Sequence, residues 1–540
     1  MQRIGRVKEK RLLQKGYVHK STAEKFGQRA YKAGKLNRLT NDWVATSDSI
    51  HREVRSEIVP VRSRARDLHK NNAYVRGFFL DNRANIIGPK GPTLQVRAKD
   101  SNGNDDAYTN DLIESKFEEW CEPEYCTMAG VLDFVEVQWL LANQLKRDGE
   151  FIVRMITGMS VNKFGFSLQL IEPDALDEKF TMKLSNGNYA IMGVEINEWK
   201  KPVAFWLRTQ NAETEYMGVY GFNYQPTANT YGLQRIPAEE ILFAFDPEYT
   251  NQQRGMSHLA ATMLTIHNLQ GYDEAAIINA RAGASKMGFF HSADNAAPPE
   301  YQGDEVDDDG NELTDFAAGT FEDIGDKRFT AFNPDYPNNE YAPFRKEHLR
   351  ESAIGLGRNY NSFAGDLESV SFSSLRGGEL SQRQMWMVDQ ELFIKKLNKR
   401  VYKNLLKWAL LTSEINLPYS KYNNYVRHEW QPVRWPWVDP YKDVQAAVMA
   451  IDHGLSTRTD ELAKQGKDFT NVITRLGKEN IEAENNNVRF GEVTNGKIPA
   501  GTDPEETDGQ DTASSTDSGS GDGEPGRSDG RILRVIGSPV

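Results

Sequence analysis

The stretch from Ser257 to Gly357 constrains this chain most, because it reads as two helices folded back on each other around a carboxylate-rich loop. In the first arm, Ser257 to Ala284, Leu259, Met263, Ile266, Leu269, Tyr272, Ala276 and Ala280 recur three or four apart. That spacing predicts one apolar helical face. Helical throughout, the arm would run on the order of 42 Å at 1.5 Å per residue. The second arm begins near Tyr341 and has Pro343 in its first turn, where a helix tolerates proline. Leu349, Ala353 and Leu356 follow, and Gly355 and Gly357 loosen and end it. Between the arms lies Asp304-Glu-Val-Asp-Asp-Asp-Gly, with further acids to Asp326. A long hairpin with a polar tip is foreign to an ordinary globular enzyme and suits a spoke of a tube.

At 540 residues the chain exceeds one ordinary domain. Its 39% hydrophobic and 26% charged content is that of a water-soluble protein, and no run of eighteen apolar residues exists to span a bilayer. The basic N-terminus lacks the apolar core of a secretory signal. Two cysteines, Cys121 and Cys126, fit a reducing compartment and give no disulfide framework.

The net charge of −12 is unevenly laid out. Residues 1–40 hold twelve Lys or Arg against Glu9 and Glu24, whereas 501–530 hold nine Asp or Glu against Arg527 alone. The basic arm is suited to nucleic acid or an acidic partner, or is a solvated tail. From 41 to 255 the pattern is mixed. Helices are expected over Val61–Ile87 (closing at Gly88), Asn110–Trp120 and Val131–Lys146. Strands are expected over Glu150–Ile156, Phe166–Ile171, Tyr189–Asn197, Val203–Arg208 and Glu240–Phe245. This order gives an α+β body and no βαβ alternation.

Ser374–Leu411 reads as one long helix with Lys395, Lys396, Lys399, Arg400, Lys403 and Lys407 largely facing solvent. Trp430, Trp435 and Trp437 mark a return to the body, as an edge strand beside Pro432 and Pro436. Asp443–Gly466 is a helical finish, and the Gly/Ser/Asp tail from about Asn495 cannot bury a core.

Rival chemistry is thin. Glu305-x-Asp307-x-Asp309-Gly310 resembles the start of an EF-hand loop, but Phe316 stands where a bidentate Glu is needed. Cys121 and Cys126 have no second Cys or His pair nearby, so no metal site is expected. No phosphate-binding loop or nucleophile elbow occurs, and no cofactor is expected.

The order of several segments resembles portal proteins of tailed bacteriophages, of the lambda type. These are Arg64-Ala-Arg-Asp-Leu-His-Lys-Asn-Asn-Ala-Tyr with Asn85-Ile-Ile-Gly, Asp148-Gly-Glu-Phe-Ile-Val, Ile171-Glu-Pro-Asp and Ile236-Pro with Ile241-Leu-Phe-Ala-Phe. Gln253-Arg-Gly-Met-Ser follows, then Val438-Asp-Pro, Val444-Gln-Ala-Ala-Val-Met-Ala-Ile and Gly454-Leu-Ser-Thr. The resemblance runs over roughly 60–470 and is weakest in the N-terminus, the loop 291–335 and the acidic tail.

The resemblance implies a portal-like fold, assembled as a ring, with a mixed α/β wing, a two-helix stem, a small α/β clip and a helical crown. The divisions it implies are 1–40 basic arm, 41–255 first part of the wing, 256–290 first stem helix, 291–335 clip and 336–357 second stem helix. After these come 358–378 tunnel loop, 379–437 wing helix and return segment, 438–490 crown and 491–540 acidic tail. It implies a homo-oligomer, a dodecamer, at one capsid vertex of the virion. There it would carry double-stranded DNA without sequence preference during packaging and ejection. Its expected partners are the terminase large subunit, head-completion or tail proteins, and the major capsid and scaffold proteins, met in the host cytoplasm during assembly. The portal itself would have no catalytic role. In the tunnel loop Arg358, Asn359, Tyr360, Asn361, Ser373, Ser374 and Arg376 are the candidates to face DNA, and Asp307, Asp308 and Asp309 are the candidates for docking at the clip. A conduit wants a wall that mostly repels DNA, and twelve copies would carry a formal charge on the order of −144 (12 × −12). Two other readings remain open: a virion structural protein without a channel, and a metal-dependent DNA-processing enzyme.

Overall fold

Arg62, in the middle of a long N-terminal helix, is carried into the interior because Val54, Ile58, Ala65 and Leu68 share its buried face. The computed structural model describes residues 49–208, 232–284, 288–292, 327–331, 340–368, 370–437 and 439–486. The basic arm, the Asp307–Asp309 loop and the acidic tail lie outside these.

Helix α1 (Ile50–Asn71) starts well before the expected Val61, with Pro60 in its interior. Tertiary burial of Val54 and Ile58 against Met192 overrides the proline's cost. Asn72 breaks out of helical geometry, and its side chain accepts from Val75 N to cap α2 (Ala73–Asn82). A π-helical turn, Arg83–Ile87, ends at Gly88 with φ +76°, the stop expected from the sequence. Strand β1 (Thr93–Val96), α3 (Ala107–Trp120) and α4 (Phe134–Asp148) follow. Helix α4 opens on a reciprocal capping box between Asp133 and Glu136.

Two antiparallel sheets follow. β2 (Glu150–Thr157) lies between β3 (Phe166–Ile171) and a later strand, β9 (Ile241–Phe245). The second sheet is a meander of β4 (Met182–Lys183), β5 (Tyr189–Ile191), β6 (Val194–Ile196), β7 (Pro202–Arg208) and β8 (Leu233–Pro237). The single strand expected over Tyr189–Asn197 is therefore two, turned at Met192 (φ +49°) and Gly193 (φ +84°).

The first arm, expected over Ser257–Ala284, is helical only from Met263, as α5 (Met263–Ala284), and β10 (Gly288–Ser292) pairs antiparallel with β11 (Lys327–Ala331) beyond it. The second arm is α6 (Tyr341–Gly355), within two residues of the expected span. A short α7 (Tyr360–Ala364) leads to α8 (Phe372–Phe393), a π turn at Ile394–Asn398, and α9 (Lys399–Leu411), one continuous long rod. Strand β12 (His428–Gln431) pairs with β1 in a separate two-stranded sheet, and Trp430 faces Leu94 in that register. Trp435 and Trp437 lie past the strand. The described chain finishes in α10 (Pro440–Asp452), α11 (Arg458–Lys464) and α12 (Phe469–Asn485): two helices fill the single stretch expected over Asp443–Gly466, and α12 lies beyond it.

The largest core gathers α3, α4, the β2–β3 face and the inner side of α8–α9 around Trp120, Phe151, Phe166, Phe393 and Tyr402. A second core fills the β4–β8 sheet, and a third joins α1 and α2 to the root of α5. This fold is α+β, as the pattern of elements predicted.

Candidate functional site

Helices α5 and α6 form an antiparallel hairpin rooted in the body. At the root, a Cβ on Gly355 would lie 2.3 Å from Thr262 Cγ2, so the helices touch where only glycine fits. Farther out, Asp273 accepts from Tyr341 Oη at 2.8 Å and from Arg345 Nε at 3.1 Å. Tyr272 stacks on Tyr341 with centroids 5.8 Å apart, and Arg345 Nη2 also donates to Tyr74 Oη on α2 at 2.9 Å. The buried face holds Leu259, Met263, Ile266 and Leu269 from the first arm, with Leu349, Ala353 and Leu356 from the second. Tyr272, Ala276 and Ala280, expected on that same face, lie beyond the root and are not buried. There the hairpin leaves the body. Its apolar residues Leu264 (68%), Ile277 (56%), Ile278 (65%) and Ile354 (77%) stand exposed.

The root is clamped by a buried ion network that the sequence reading did not foresee. Arg254, wholly buried just before α5, donates from Nε to both Glu150 carboxylate oxygens, at 3.0 and 2.9 Å, and from Nη2 at 2.5 Å. Its Nη1 reaches the carbonyls of Met192 and Leu176. Arg62 Nη2 adds a bond to Glu150 at 2.8 Å, while its Nη1 joins Asp174 at 2.9 Å. Arg66 bridges Asp174 and Asp148. Burial alone would raise the Asp148 carboxyl, but Arg147 and Arg66 hold it below its ordinary range; Arg62 and Arg66 do the same for Asp174. The backbones of Gly149 (φ +85°) and Gly255 cross beside this cluster, where a Cβ on Gly255 would fall 1.9 Å from Gly149 O. Four of the segments that carried the portal resemblance meet here: Arg64 to Tyr74, Asp148 to Val153, Ile171 to Asp174 and Gln253 to Ser257. The available signal was a charge embedded in an apolar run, Asp148-Gly-Glu-Phe-Ile-Val.

The expected tunnel loop, 358–378, is mostly helical. Arg358 is buried, stacked over Phe78 and Trp386 at 5.2 and 5.6 Å. Its guanidinium bonds Asn82 Oδ1 and lies 3.4 Å from Asp81 and 3.9 Å from Asp389. Arg358 therefore ties α2 to α8. Burial pushes the Asp81 carboxyl up to about 6 despite Arg358. Asn359 caps α7 by accepting from Asn361 N, and its own N–H goes to Gln382 on α8. Tyr360 donates to Asp366 at 2.9 Å, with Lys346 and Arg350 near its ring. Ser371 caps α8 through Ser374 N, and its hydroxyl contacts those of Ser373 and Ser374. Arg376 pairs with Asp443 on α10 at 2.6 Å, linking the first turns of the long rod to the C-terminal helices. The irregular part is thus 365–371, flanked by Tyr360, Asn361, Ser373 and Ser374.

Among the described residues no three His, Cys, Asp or Glu side chains gather as a metal site. Cys126 is buried, and its thiol is pushed up to about 12 by burial. His258 is held neutral, at about 3, by burial and by the cations of Lys146 and Arg358.

The family model for phage portal proteins of the lambda family matches residues 36–390. This chain belongs to that family. A probable portal protein of Halomonas phage phiHAP-1 is 33% identical over 459 residues, spanning 84% of this chain and 86% of the relative. Portal protein B of Escherichia phage lambda is 21% identical over 494 residues, spanning 82% and 87%. A solved neck of an empty gene transfer agent particle, computed with C6 symmetry, is similar over 76% of this chain and 93% of its own, with 14% identity and a TM-score of 0.39.

Proposed function

We propose that this portal-family chain assembles as a ring, a dodecamer, at one vertex of the phage capsid, with the α5–α6 hairpins side by side around an axial channel. The observation that carries this reading is the hairpin itself: rooted by a buried ion network, it projects with Leu264, Ile277, Ile278 and Ile354 exposed. Burying such residues between copies gains on the order of 25 cal/mol per Å² of apolar surface. Double-stranded DNA passes through the channel during packaging and ejection without sequence-specific contacts. Tyr360, Asn361, Ser373 and Ser374, around 365–371, are the candidates to face it, since short polar groups touch phosphates weakly. The terminase large subunit and later head-completion or tail proteins dock at the clip, with Asp307, Asp308 and Asp309 as candidates. Capsid and scaffold proteins meet the ring in the host cytoplasm during assembly, and the finished ring resides in the virion. The portal carries out no chemistry of its own in this account.

The test is the mass of the purified protein by light scattering after size exclusion. A multiple of the 61.1 kDa chain, on the order of 730 kDa for twelve copies (12 × 61.1), is expected. A monomer at all concentrations and salt levels contradicts it.

A further inference from the structure

Along the outer edge of the long rod, Lys395, Lys399, Lys403 and Lys407 recur every fourth residue. Their side chains rise in one row, with steps of about 6 Å and a total length of about 18 Å. Lys395, Lys403 and Lys407 are exposed and Lys399 is half-buried. Glu391 meets only the first end of the row, 3.2 Å from Lys395 and 3.7 Å from Lys399. Among the described residues no carboxylate pairs with Lys403 or Lys407. The opposite face of the helix is fixed in the main core by Val401, Tyr402, Leu405 and Leu406. The row is therefore presented on a rigid element, and its own like charges disfavour it until a counter-charge arrives.

We infer that the acidic segment 501–530 of this same chain docks on the lysine row of α9, in its own subunit or a neighbouring one. Charge complementarity is the first argument: the segment holds nine Asp or Glu against Arg527 alone. Reach is the second. Asp468, the N-cap of α12, accepts from Gln95 at 3.1 Å; Gln95 is registered opposite Glu429, and the adjacent His428 packs on Tyr402 with centroids 4.6 Å apart. The root of α12 is thus tied, through β1 and β12, to the part of α9 that carries Lys403. Helix α12 spans 17 residues, about 25 Å, and the sixteen residues 487–502 (502 − 487 + 1) extend to roughly 50 Å, enough to return. Tethering gives an effective concentration in the millimolar range, so individually weak, salt-screened contacts suffice. An occupied row is closed to other polyanions, duplex DNA among them.

The proposal is tested with the full chain and a zero-length carbodiimide cross-linker, with the linked peptides mapped. Amide links from Lys403 and Lys407 to carboxyls between Asp503 and Glu524 are expected at low salt, and they should vanish at about 0.5 M salt. Absence of such links, or links only to other segments, overturns it. A chain ending at Ala500 should bind a short DNA duplex about tenfold more tightly than the full chain. The variant with Lys395, Lys399, Lys403 and Lys407 all replaced by Gln should lose that gain. Equal duplex binding with and without 501–530 also overturns it, and assigns the row to DNA or to solvent.

Discussion

Arg254 holds both carboxylate oxygens of Glu150, and neither side chain is reached by solvent. A buried pair of this kind is weak evidence for net stability, but removing one partner leaves an uncompensated charge. Arg254→Met should therefore destabilise the fold by about 3 kcal/mol or more. Arg66→Met, at a side chain 29% exposed, should cost about 1 kcal/mol. Urea unfolding midpoints check the ordering; equal midpoints would show that the network is not the clamp of the stem root.

The contact of Gly355 with Thr262 predicts a steric coupling between the two arms. Gly355→Ala should cost about 1–3 kcal/mol through overpacking. Thr262→Ser, which removes the methyl group in the way, should restore much of that loss in the double variant. A double-mutant cycle on thermal unfolding reads the coupling, and strict additivity would mean that the arms do not meet there.

Proline at Ala276 or Ile277 falls in the interior of α5, where it removes a backbone bond and costs about 3 kcal/mol. Because this part of α5 stands clear of the body cores, the monomer fold should survive while ring assembly is lost. Circular dichroism and light scattering together check this, and unchanged oligomers would count against α5 as a stem.

Acid should loosen the root. His69 is held down to about 4 by burial and by Arg147 and Arg76, and His258 to about 3 by burial, Lys146 and Arg358. In the unfolded chain both imidazoles bind a proton near pH 6.5, so their contribution is complete above that pH and is lost as pH falls toward 4 and 3. Asp81 acts oppositely: raised to about 6, it adds stability as pH falls from 6 to 4. Unfolding midpoints from pH 7.5 to 4.5 should therefore fall less steeply in His69→Gln and His258→Gln than in the parent. An identical slope would show that these imidazoles are not buried beside cations.

The arms were legible because apolar residues at helical spacing name a helix without reference to anything distant. The same holds for β3, read to the residue, and for the long rod. What escaped was set by distant partners. β1 is four residues whose pairing strand, β12, lies over 300 positions later. Arg254 and Glu150 look like solvated charges until four separate segments converge. In 358–378 a loop was expected, yet Gly378 sits inside α8, where a Cβ would fall 2.0 Å from the Asn359 side chain. That glycine marks close packing. The split at Met192 left Gly193 as its signal, because methionine itself is a rare residue for a turn with positive φ.

Cryo-electron microscopy of the purified full chain shows directly whether the hairpins line a channel. Closed rings are expected, with an axial opening wider than a DNA duplex, lined by α5 and α6 from every subunit, and with Ile277 and Ile278 buried between neighbours. Particles without an opening, or rings in which the hairpin points away from the axis, would contradict this arrangement.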